Sequence, residues 1–206
     1  MTERLVATPE GPARTTTTDP DGEAVGTLVL GHGAGGLRWT LDVAATRDVM
    51  VAAGWRVVLV DQPWRVAERK VGPRPPVLDL AWVPVLQDIR QRCGTGRLVT
   101  GGRSAGARVA CRTAAATGAD AVLCLSFPLH LPGRPQASRA SELAQPSAAG
   151  IPVHVVQGST DPFGTPAEVE AVLPPLTTLD VVPGPHSLGR VADRVAAIVR
   201  ARLAGE

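Results

Sequence analysis

Three residues stand in an order and setting that suit acyl-transfer chemistry: Ser104, Asp161 and His186. Ser104 sits in Gly101-Gly102-Arg103-Ser104-Ala105-Gly106, between an apolar run, Arg97 to Thr100, and a helical stretch, Ala105 to Thr117. A Gly-x-Ser-x-Gly segment between strand and helix forces the serine onto a tight, strained turn with its hydroxyl clear of the sheet edge. Bulk at Gly102 or Gly106 would clash with the neighbouring strand and helix. A serine hydroxyl is a poor nucleophile at neutral pH and needs a general base held by an acid. Asp161 lies in Gly158-Ser159-Thr160-Asp161-Pro162-Phe163-Gly164, immediately after the strand-like run Val153–Gln157. His186 lies in Gly184-Pro185-His186-Ser187-Leu188, after the run Thr178–Val182. Each residue alone has an ordinary reading, a turn for Asp161 and a helix start for His186. Their joint order, nucleophile, acid and then base, favours a catalytic triad.

A tetrahedral oxyanion needs backbone N–H donors fixed in advance. Ala105, next to the nucleophile, supplies one candidate. Gly33, Ala34 and Gly35, in Gly31-His32-Gly33-Ala34-Gly35-Gly36, supply the others. The same loop satisfies G-x-G-x-x-G through Gly31, Gly33 and Gly36, and Asp61 ends the next strand where a ribose-binding acid would sit. A dinucleotide-binding oxidoreductase is therefore a competing reading. Against it, the residues after Gly36, Leu-Arg-Trp-Thr, do not continue a phosphate-capping helix, and the order of Ser104, Asp161 and His186 goes unexplained.

Positioning these groups falls to alternating strands and helices. Strand-like runs are Val25–Leu30, Arg56–Asp61, Arg97–Thr100, Ala121–Ser126, Val153–Gln157 and Thr178–Val182. Helical patterns lie at Leu41–Ala53, Leu78–Arg92, Ala105–Thr117, Pro166–Leu173 and Leu188–Leu203. Several strands are apolar throughout, as expected where both faces are covered, so the pattern predicts a mostly parallel sheet in an α/β sandwich. A hairpin within Leu5–Thr18 is also expected. The stretches Gln62–Pro76 and Pro128–Gly150, rich in Pro, Arg and Ser, read as irregular loops at the carboxyl edge of the sheet, too short for a large cap.

The 206 residues suit one domain spanning 1–206, with a polar segment over about 1–20. A formal charge of +2, with both signs interspersed, gives no case for nucleic acid or an anionic membrane. No apolar stretch approaches the roughly 20 residues that span a bilayer. The segment Met1 to Pro20 has no apolar export core, and Cys93, Cys111 and Cys124 lack CxxC spacing. A cytoplasmic protein without disulfides, structural metal or organic cofactor is expected; the oligomeric state is left open.

Trp39, Trp64, Phe127 and Phe163 each follow a strand and are candidates to wall an apolar acyl pocket, with loop packing as the alternative. Arg103 at the elbow, His32 in the glycine loop and His130 after the fifth strand are further candidates for substrate contact. His32 also suits an orienting role in its loop, and Arg103 a bracing one. Trp82 reads as helix core, and His154 as a structural histidine in a strand. The basic run Arg65, Arg69, Lys70 and Arg74 could attract an anionic substrate, but a solvated loop is the preferred reading.

The segments Gly31–Gly36, Gly101–Gly106, Phe127–Pro135, Gln157–Gly164 and Gly184–Leu188 together resemble the α/β-hydrolase superfamily. Within it the chain is similar to a small dienelactone-hydrolase-like branch that includes the hydrolase-like domains of testis-expressed and NSL-complex proteins. Phe127 stands where that branch often has Tyr, and Ala105 where Met is frequent. The resemblance implies a three-layer α/β/α sandwich, an α/β-hydrolase fold without a large cap, with Ser104 as nucleophile, Asp161 as acid and His186 as base. The expectation is a serine hydrolase of carboxylesterase type, acting on a small-molecule ester or related acyl substrate through an acyl-enzyme. A catalytically silent, hydrolase-like interaction module is the alternative.

Overall fold

The computed structural model describes every residue except Gly36, Leu37, Thr95 and Glu206. Eight strands form one sheet in the order β1-β2-β4-β3-β5-β6-β7-β8. They are β1 (Thr2–Val6), β2 (Ala13–Thr18), β3 (Thr27–Gly31), β4 (Arg56–Asp61), β5 (Leu98–Arg103), β6 (Ala121–Leu125), β7 (Val153–Gly158) and β8 (Thr177–Val182). From β4 through β8 every neighbouring pair is parallel. The hairpin β1–β2 joins antiparallel at the β4 edge. The polar N-terminal segment thus belongs to the sheet, its alternating Thr residues giving the buried-and-half-buried pattern of an outer strand.

The helices are α1 (Leu41–Ala52), α2 (Pro63–Val66), α3 (Pro75–Cys93), α4 (Ala105–Thr117), α5 (Ala140–Ala148), α6 (Pro166–Glu170) and α7 (Ala192–Ala204). Strand side chains alternate between faces, so each apolar run feeds two cores. Leu28, Leu30, Val57 and Leu59 pack with Val43 and Met50 of α1 and Val195, Val199 and Leu203 of α7. Val29, Val58 and Val60 turn the other way, onto Trp82, Val85 and Ile89 of α3. On that same face α4 and α5 cover β6 and β7 through Ala107, Ala110, Ala114 and Leu143. Helices on both faces make the three-layer α/β/α sandwich, and no large cap is present among the described residues.

Several boundaries differ from the sequence reading for identifiable reasons. β3 begins at Thr27 because Gly26 lies hard against the Trp55 ring and Val25 is exposed. β5 runs on to Arg103, three residues past the apolar run, which brings the strand directly to the elbow. α6 ends at Glu170, since Pro174 biases Leu173 away from helical backbone. A 3₁₀ turn, Gly189–Val191, precedes α7 where one continuous helix was expected. The stretches read as irregular contain α2 and α5. Both carry proline, at the first turn of α2 and inside α5, which masks a helical pattern.

Candidate active site

The elbow is built by contact. At Ser104 the backbone adopts φ 54°, ψ −110°, a conformation costing an L-residue of order 1–3 kcal/mol and held only when the surroundings over-determine it. Here they do. A Cβ on Gly102 would stand 2.5 Å from the Gly31 carbonyl oxygen, and one on Gly106 would meet the same atom at 2.5 Å. β3, β5 and α4 therefore close around the turn with no room for side chains. The Ser104 N–H donates to the Leu125 carbonyl at 2.9 Å, fixing the turn to β6.

The loops after β7 and β8 bring Asp161 and His186 to Ser104. The His186 Nε2 lies 2.9 Å from Ser104 Oγ, and His186 Nδ1 lies 2.8 Å from Asp161 Oδ2. An ionised carboxylate only accepts, so the proton sits on Nδ1 and Nε2 is left to accept from the serine hydroxyl. Asp161 is fully buried. Its second oxygen accepts the Phe163 N–H at 2.8 Å, and its first also accepts from Gln157 Nε2 at 3.0 Å. Gln157, itself fully buried, ties the same amide to the carbonyls of Phe127 and Gly164. Every proton-bearing partner around the carboxylate thus fixes its orientation toward His186.

Three residues support this geometry without an obvious sequence signal. Gln157 was visible only as a polar end to an apolar strand. Gly158 lets the two loops touch, because a Cβ there would collide with the Pro185 and Gly184 carbonyl oxygens. Asp42, fully buried in the first turn of α1, stands 3.6 Å from Arg103 Nε. Arg103 in turn donates through Nη2 to the His186 carbonyl at 3.0 Å.

The candidate oxyanion donors divide. Ala105 opens α4, so its N–H is among those that a helix leaves unpaired at its N-terminus. Gly33 backs onto the nucleophile: a Cβ there would come within 3.6 Å of Ser104 Cβ. Ala34 is exposed beside it, and Gly35 meets nothing within 4 Å. Gly36, the last glycine of the loop, lies outside the described residues. The next described helix, α1, starts only at Leu41. Asp61, the ribose-binding candidate, instead lies 3.2 Å from Arg65 Nε. Burial pushes its carboxyl up from the ordinary range.

The residues proposed to contact substrate also divide. Phe163 packs on the His186 ring, with the two ring centroids 4.3 Å apart. Phe127 is fully buried within the core beneath α4 and α5, which removes it from any substrate wall. The whole stretch 121–130 is buried, so the segment after β6 stays covered rather than standing out at the rim. The His130 ring is held by Nδ1 to the Leu131 carbonyl at 2.9 Å, with Glu168 3.4 Å from its Nε2. His32 spends both nitrogens inside the protein: Nδ1–H donates to the Gly33 carbonyl at 2.8 Å, and Nε2 accepts the Gln62 N–H at 3.1 Å. Trp39 and Trp64 meet it edge-on. Burial, with a smaller contribution from the Arg65 charge and against the Gly33 bond, lowers its pKa to about 4. His32 is a neutral brace for the glycine loop, leaving only ring surface for a ligand. Arg103 and Trp39 remain beside the site, the latter half-buried under the Arg65 guanidinium. His154 bonds Thr178 within the sheet, as a structural histidine does.

The described residues contain no group of three or more His, Cys, Asp and Glu side chains able to hold a metal ion. No described helix is long and apolar enough to cross a membrane.

A mostly parallel sheet with a strained serine turn after its central strand, and with Asp161 and His186 in the loops after β7 and β8, matches the α/β-hydrolase architecture. The chain belongs to the alpha/beta hydrolase domain family, whose model matches residues 24–194. No curated protein sequence matches it. Solved structures share the fold at low identity. An alpha-beta serine hydrolase homologue from Coxiella burnetii is 17% identical, with a TM-score of 0.83 over 98% of this chain and 97% of that one. A lidless serine hydrolase from Xanthomonas campestris is 18% identical, with a TM-score of 0.77 over 98% and 93%. Est1E from Butyrivibrio proteoclasticus is 14% identical, with a TM-score of 0.80 over 98% of each chain.

Proposed function

We propose that this protein is a serine hydrolase of carboxylesterase type that cleaves small esters or related acyl compounds through an acyl-enzyme. The observation that carries the proposal is the continuous relay from Ser104 Oγ to His186 Nε2 and from His186 Nδ1 to Asp161. As Ser104 Oγ bonds to the substrate carbonyl carbon, its proton passes to His186 Nε2, and the imidazolium is stabilised by the buried carboxylate. The N–H groups of Ala105 and Gly33 receive the oxyanion. Collapse breaks the bond to the leaving alcohol, which takes the proton from His186. Water then attacks the acyl carbon and gives its proton to His186. The Ser104 oxygen departs and recovers that proton, releasing the acid. Every step uses groups of this chain and water alone.

The proposal extends to the dienelactone-hydrolase-like branch, on the strength of the five matching segments, and to the cytoplasm. Three free thiols, two of them buried, suit a reducing compartment. The test is p-nitrophenyl acetate turnover in wild type, Ser104→Ala and His186→Ala. Either substitution should lower kcat by about 10⁴-fold or more. Turnover unchanged in both variants would refute the mechanism, and no turnover in any of the three proteins would favour the silent module.

A further inference from the structure

A cavity of about 130 Å³ opens between the candidate oxyanion loop, the start of α4 and the N-terminal half of α3. Gly33 and Ala105, the two backbone groups assigned to the oxyanion, both line it. Its walls are apolar side chains, chiefly Trp64, Leu78, Trp82 and Val109. The sequence assigns Trp82 to the core, and it is core; one part of its ring also faces this space. The cavity adjoins both candidate donors, so a carbonyl oxygen held between them would stand at its edge.

The charged groups near the cavity are already neutralised. Arg108 is held by both oxygens of Glu142, at 2.7 and 2.6 Å, and Glu142 also accepts from Arg112. Gln62 donates its amide to the Leu78 carbonyl at 3.2 Å. His32 is kept uncharged at neutral pH by its burial. No wall group offers a free charge to a carboxylate or an ammonium.

We infer that this cavity is the acyl pocket, and that α3, through Leu78 and Trp82, restricts the enzyme to short, neutral acyl groups. The inference rests on the hydrolase reading. A dry apolar cavity of about 150 Å³ takes a benzene-sized guest, so this one holds a linear chain of roughly four to five carbons. Within that limit each added methylene is buried and contributes about a fourfold gain in kcat/KM. Past it, the chain must displace α3 or leave the cavity.

The experiment uses p-nitrophenyl esters from acetate to octanoate, which hold the alcohol constant, and acetate esters of lengthening alcohols, which hold the acyl group constant. In wild type kcat/KM should rise about fourfold per methylene up to butyrate or valerate and fall at least tenfold by octanoate. Leu78 is half-buried, and Leu78→Trp should fill the pocket and move the optimum to acetate. Trp82→Phe should enlarge it and move the cut-off to longer chains. A profile flat in acyl length, or a cut-off that neither variant moves, overturns the pocket while leaving the hydrolase standing. A cut-off in alcohol length alone also overturns it, assigning the cavity to the leaving group. Failure of every ester in wild type, with no labelling of Ser104 by a fluorophosphonate, defeats both readings together.

Discussion

Arg103 donates to the carbonyl of His186 at 3.0 Å, so the residue before Ser104 also holds the loop that carries His186. Its Nε lies 3.6 Å from Asp42, a fully buried carboxylate in the first turn of α1. Elbow, base loop and α1 are thereby linked through one guanidinium. Lysine cannot reproduce this, since it offers a point charge where the guanidinium presents a fixed fork. Arg103→Lys should lower kcat by about 10- to 100-fold while KM changes less than threefold, because the base is misplaced and the binding surface is not. A change confined to KM, read from steady-state kinetics, would instead make Arg103 a substrate-binding residue.

Gly158 is where the acid and base loops touch. Its added Cβ would lie 2.5 Å from the Gly184 oxygen and closer still to that of Pro185, both backbone atoms that cannot rotate aside. Gly158→Ala should therefore cost about 1–3 kcal/mol of stability, a typical overpacking penalty, and push His186 away from Asp161. Thermal unfolding and ester turnover should both fall. Wild-type turnover in a folded Gly158→Ala protein would mean that the loops reach the serine independently of each other.

Gln157 donates to Asp161 Oδ2, the oxygen that also accepts from His186. Gln157→Glu replaces that donor with a second carboxylate in a fully buried site, and like charges there disfavour the ionised acid. Gln157→Met removes the donor without adding charge. The Glu variant should lose at least tenfold more kcat than the Met variant, with its activity displaced along the pH axis. Equal losses would show that only the shape of the glutamine matters.

His32 makes stability depend on pH. Its pKa is about 4 in the folded protein and near 6.5 when unfolded, so between those values the unfolded chain binds the extra proton. Stability is fully present above pH 6.5 and is lost as pH falls toward 4, at about 1.4 kcal/mol per unit within the window. Urea midpoints measured from pH 7 to 5 should decline in wild type and decline less in His32→Gln. A wild-type midpoint that stays level from pH 7 to 5 would place His32 in contact with water.

The convergence of Ser104, Asp161 and His186 was legible in the sequence because each sits in a short Gly- or Pro-marked loop directly after an apolar strand. Strand spacing then forces those loops to one edge of a parallel sheet. What sequence reading missed depends on which way side chains turn and on contacts between distant segments. Phe127 follows a strand as Phe163 does, yet one ring points into the core and the other stacks on His186. Gly158 and Pro185 meet across loops far apart in the chain. Trp82, placed correctly in a helix, also borders a cavity whose other walls come from segments distant in the chain. The helix α5 escaped notice because it buries only Leu143 and Pro146.

Reaction with a fluorophosphonate followed by peptide mass spectrometry tests the assignment of the nucleophile most directly. One phosphonyl group per chain should appear on Ser104, and the labelling rate should collapse in His186→Ala. A folded, ester-hydrolysing protein that acquires its adduct on another residue, or none at all, would contradict the account.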